Sequence, residues 1–84
     1  MTFKNKLPSS TLTDEQHKRI IQSIEYFFSV MGTRDEVEFE YKWLYNFVWS
    51  LEAMSFINPN ERKKYHVFIE EKYDENLERI EKRP

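Results

Sequence analysis

The sequence predicts an all-α fold, a compact three-helix up-down-up unit, and three observations carry that expectation. Helix-start signals occur at Thr13-Asp14-Glu15-Gln16, Thr33-Arg34-Asp35-Glu36 and Asn58-Pro59-Asn60-Glu61. Each places a capping side chain three residues before a Gln or Glu that can reach back to it. Apolar residues recur at helical steps after every signal. Short connections separate the three periodic stretches, so consecutive helices should be antiparallel neighbours.

The first helix is expected over residues 14–31, with Ile20, Ile21, Ile24, Phe27, Phe28 and Met31 as its apolar stripe and Tyr26 and Val30 off it. Gly32, the only glycine in the chain, should end that helix in the left-handed conformation that glycine adopts without steric penalty.

The second helix has a competitor. Phe39, Tyr41, Trp43, Tyr45, Phe47 and Trp49 put an aromatic at every second position, which is the pattern of a strand with one buried face. Val37, Tyr41, Leu44, Val48 and Leu51 nevertheless follow steps of four, three, four and three, a continuous helical seam. As a strand the run would extend for about 40 Å with no other alternating segment to pair with it. As a helix over residues 34–56 it would span about 33 Å without Gly or Pro. Helix is the expected state.

The third helix is expected over residues 59–81 with Tyr65, Phe68, Ile69, Tyr73, Leu77 and Ile80 as its stripe. Glu75–Arg79 and Glu78–Lys82 are spaced as favourable pairs, each contributing about 0.2–0.5 kcal/mol. Asn76 falls among the stripe residues on a helical wheel. A buried amide there would fix register or oligomer state at a cost in stability, unless the stripe opens to water near its end.

Eighty-four residues allow a single domain with a thin stability margin. Residues 13–84 are read as that domain and residues 1–12, with Lys4, Lys6, Pro8, Ser9 and Ser10, as a flexible lead-in. Having no cysteine, the chain lacks disulfides and thiolate metal sites, so aromatic packing or oligomerisation must steady the small core. A reducing, cytoplasmic setting is expected, and no apolar run approaches the roughly 20 residues that span a bilayer. The formal charge of −2 divides unevenly. Residues 1–34 carry +2, residues 35–60 carry −4 and residues 61–84 are neutral, which is not the basic face of a general nucleic-acid binder.

Candidate chemistry is sparse. His17 and His66 are the only histidines, and neither has a second ligand at metal-binding spacing, so no metal and no cofactor are expected. Asp35, Glu36, Glu38 and Glu40 suit the first turns of a helix and lack a nucleophile to work with. The serines show no nucleophile elbow, and one glycine cannot build a phosphate loop. No enzyme is read from this sequence.

The aromatic helix carries the functional expectation. It is apolar nearly all round, and two neighbours in a three-helix unit cover only about half to two-thirds of such a surface. The chain is therefore read as a small non-catalytic interaction module of the inhibitor or accessory-regulator type. It should form a homo-oligomer, by preference a dimer, or bind a protein partner through Phe39, Trp43, Phe47, Trp49 and Met54. The alternative is a helical oligomer that binds a small ligand or nucleotide, with Trp43, Trp49 and Tyr65 for stacking and Arg62, Lys63 or Lys64 for phosphate. Single-stranded nucleic acid is a third reading on the same basic and aromatic residues.

Overall fold

A computed structural model describes residues 11–82, which form three α-helices: α1 (Asp14–Ser29), α2 (Arg34–Ala53) and α3 (Pro59–Glu81). Each helix begins at one of the three start signals, because the capping boxes close there. The Thr13 hydroxyl accepts from the Gln16 N–H at 3.1 Å while Gln16 Oε1 accepts from the Thr13 N–H at 2.9 Å. Thr33 with Glu36 and Asn58 with Glu61 repeat the exchange. Glu36 also accepts from the Gly32 N–H, and these backbone donors hold its carboxyl below the usual range.

Contacts between the helices fix their order. His17 meets Tyr65 and Glu61 where α1 and α3 both start, and Arg79 meets the Phe28 and Met31 carbonyls where both end. Helix α2 runs the other way, since Glu52 pairs with Arg62, Tyr45 with Glu70 and Arg34 with Glu81. The bundle is therefore up-down-up. The fully buried core is Ile24 and Phe28 from α1, Val37, Leu44, Val48 and Leu51 from α2, Ile57 from the connection, and Tyr65 and Ile69 from α3. Four of the five seam residues of α2 are in it. Helix α3 covers α2 extensively, whereas α1 touches α2 least of the three pairings.

Several expected details differ. Helix α1 stops at Ser29 and α2 at Ala53, two and three residues earlier than the apolar pattern indicated. Gly32 does not take a left-handed conformation. The Arg79 guanidinium donates to the Phe28 carbonyl at 3.2 Å and, just beyond the helix, to the Met31 carbonyl at 2.9 Å. That commitment also removes the Glu75–Arg79 pair, and Glu75 pairs with Lys72 at 3.1 Å instead. Glu78–Lys82 forms at 3.3 Å. Half-buried Asn76 spends its amide locally, donating to the Lys72 carbonyl and accepting from Arg79.

The left-handed residue is Ser55, with φ 66°. Phe56 N–H donates to the Leu51 carbonyl and Ser55 N–H to that of Glu52, both at 2.9 Å, which is a Schellman closure of α2 without glycine. The expected lead-in lies outside the described residues up to residue 10. Its last two residues are anchored: the Thr11 N–H donates to the Phe56 carbonyl at 3.2 Å, and Leu12 packs on the core. No helix among the described residues is long and apolar enough to cross a membrane.

Candidate association surface

Alternation acquires a different meaning once the segment is a helix. Residues two apart stand about 200° apart round the axis and residues four apart about 40°, so an aromatic at every second position makes two stripes on opposite faces. Tyr41, Tyr45 and Trp49 form one stripe. Phe39, Trp43 and Phe47 form the other.

The first stripe is taken up by α3. Tyr41 packs on Tyr73 with ring centroids 4.4 Å apart, and Tyr45 stacks on His66 at 3.6 Å with planes 5° apart. Burial raises the pKa of both tyrosines, so they remain neutral hydroxyls. Trp49 completes the stripe edge-on to His66 at 5.1 Å, with the Arg62 guanidinium 4.2 Å over its ring. Nearly half exposed, Trp49 belongs to the α2–α3 side and does not join the other expected interface residues. His66 is buried and donates from Nε2 to the Tyr45 carbonyl at 3.1 Å.

The second stripe has no helix over it. Phe39 is 69% exposed, Trp43 52%, Phe47 36% and Met54, further along the same line, 58%. Trp43 and Phe47 stack at 5.4 Å with planes 12° apart, forming a flat ridge. Because α1 contacts α2 sparingly, an open apolar groove of about 250 Å³ lies between the ridge and α1. Ile24 and Leu44 are its floor, Ile20 and Phe27 its far wall, and Ser23 and Arg19 its rim. Phe27 is 41% exposed. Sequence reasoning assigned it to the core stripe and so missed it as the other half of this surface. Its place at the margin of that stripe was the available signal.

Charge on the surface is uneven. Glu40, one turn before Trp43 and Leu44, is half-buried, and burial raises its carboxyl above the usual range with no ion pair to offset it among the described residues. Among the described residues Arg19, at the other end of the groove, pairs only with Glu15 of its own helix at 3.2 Å, both largely exposed. Such a pair contributes little.

At the start of α3, Lys64 and Tyr65 line an open pocket of about 300 Å³ with Asp14, His17, Ile21 and Glu61. Arg62 is held by Glu52 at 2.8 Å and by the Trp49 face. Lys63 and Lys64 are exposed, and Tyr65 is buried with its hydroxyl on His17 Nδ1. Burial, with Glu61 nearby, pushes the Tyr65 hydroxyl up to about 12, so it stays protonated. His17 Nε2 faces Glu61 at 3.4 Å. Both ring nitrogens are thus engaged in joining α1 to α3. Among the described residues no group of three or more His, Asp or Glu could hold a metal.

No family model, curated protein or solved structure matches the chain.

Proposed function

We propose that the protein works by contact, as a small non-catalytic association module of the inhibitor or accessory-regulator type, through the face formed by Phe39, Trp43, Phe47 and Met54 with Phe27 of α1. One observation carries this reading: a stripe of large aromatic side chains stays a third to two-thirds exposed after the bundle has closed its core. At roughly 150–250 Å² per aromatic side chain, these residues leave about 500 Å² of apolar surface in water. Patches of that size are often functional. A cytoplasmic location belongs to the same proposal, since a chain without cysteine needs no disulfide-forming compartment. The nucleotide alternative gains no support at the start of α3, where Arg62 and Tyr65 have partners within the chain.

The test is the double substitution Trp43→Ala plus Phe47→Ala, followed by circular dichroism and by native mass in the presence and absence of candidate partners. Helicity should persist while association is lost, and Lys42→Ala should change neither. Unfolding of the double variant would show that the ridge is core, and undiminished association would place the contact elsewhere. Association should also tolerate salt, unlike phosphate binding, which weakens steeply as salt rises.

A further inference from the structure

Resting on the reading that the α1–α2 face associates, we propose that its occupant is the same face of a second copy, turned antiparallel so that Arg19 of each chain meets Glu40 of the other. The argument begins with the ends of the groove. Helices α1 and α2 are antiparallel, so the residues from Arg19 to Phe27 run alongside those from Phe47 back to Glu40. Arg19 thus lines one end of the apolar groove, and half-buried Glu40 lies on α2 one turn before Leu44, toward the other end.

A twofold rotation about an axis crossing the strip at its middle exchanges those ends. Two copies then present unlike charges at both ends, whereas the parallel arrangement sets like charges against each other. The antiparallel register is favoured and its competitor is penalised by the same two residues.

Glu40 gives the pairing its direction. A partly desolvated carboxylate with no ion pair costs free energy that a cation from outside can offset. Arg19 is available for that role, because its own exposed pair with Glu15 is easily exchanged. A foreign protein would have to supply both the apolar strip and a matching cation; a second copy already has them. The area agrees as well. About 500 Å² of apolar surface, rimmed by Arg19, Ser23, Glu40, Asn46 and Ser50, approaches the roughly 800 Å² per partner of a standard stable interface.

Native mass and sedimentation across a concentration series of the full chain test this with Arg19→Glu, Glu40→Arg and their mixture. Each single variant should dimerise about tenfold more weakly than wild type, a difference of about 1.4 kcal/mol. An equimolar mixture should recover wild-type affinity as a heterodimer. The carboxylate introduced at position 19 of one chain then faces the guanidinium introduced at position 40 of the other, while the native Glu40 and Arg19 meet at the opposite end. Glu40→Gln should weaken the dimer without lowering the melting temperature of dilute monomer, which separates pairing from folding. If the singles dimerise like wild type, or the mixture recovers nothing, while Trp43→Ala plus Phe47→Ala still yields monomer, the antiparallel register is wrong and the association reading stands. A wild type that stays monomeric throughout the series overturns the proposed occupant outright, and the association reading then rests on a foreign partner.

Discussion

His66 is 4% exposed beneath Tyr45 and Trp49, so protonating it puts a cation into the α2–α3 contact. Burial, aided by Arg62, lowers its pKa below the ordinary 6.5 against the pull of the Tyr45 carbonyl, Glu70 and Glu52. The unfolded chain therefore takes up this proton first. Stability from His66 is complete above pH 6.5 and is lost as pH falls through the folded-state pKa. Melting temperature should drop between about pH 7.5 and about pH 5, and His66→Phe should flatten that slope; a wild type equally stable at both values would refute it. The backbone at Ser55 offers a second residue-scale test. A left-handed non-glycine residue carries about 1–2 kcal/mol of steric cost, so Ser55→Gly should raise stability by about 1 kcal/mol in a denaturant titration. At Gly32, which lacks positive φ and where an added Cβ meets only Glu36 Oε1 at 3.8 Å, alanine should stabilise by about 0.4–1 kcal/mol.

Helix beginnings and helix ends differ in how locally they are determined. The three starts are written within four residues each, and all three capping boxes form as the spacing indicates. The end of α1 closes in part locally, with Val30 N–H on the Tyr26 carbonyl and Met31 N–H on that of Phe28, and in part through Arg79, 51 residues beyond Phe28. Arg79→Ala should remove the distant part of this closure and cost about 1–3 kcal/mol, the range for hydrogen bonds from a charged donor. Asn76 orients that guanidinium through Oδ1. Asn76→Ala should therefore cost less, and the double variant should fall well short of additivity in a thermodynamic cycle. The same division holds for the association surface. Phe39, Trp43, Phe47 and Met54 could be placed on one line from helical spacing alone. The same spacing puts Trp49 on the other flank with Tyr45, but it does not say which flank α3 covers, and Phe27 emerged only because α1 stands off α2.

Across the whole molecule, the most deeply buried side chains and the exposed ridge of the proposed association face are different residues. Phe28 is fully buried where the three helices meet, and truncating such a side chain costs about 3–5 kcal/mol. A domain of this length has only about 4–12 kcal/mol to lose. Phe28→Ala should therefore remove a large share of that margin and lower the melting temperature read by circular dichroism, while Trp43→Ala plus Phe47→Ala leaves the chain folded. The two tryptophans, six positions apart in the chain, lie on separate faces of α2: one on the open ridge, the other against His66 and Arg62. The molecule thus contains two independent optical reporters. With Trp49 replaced by Phe, emission should shift to shorter wavelength as dilution is reversed and the ridge loses water. With Trp43 replaced instead, emission should ignore concentration and follow the protonation of the imidazole beside it.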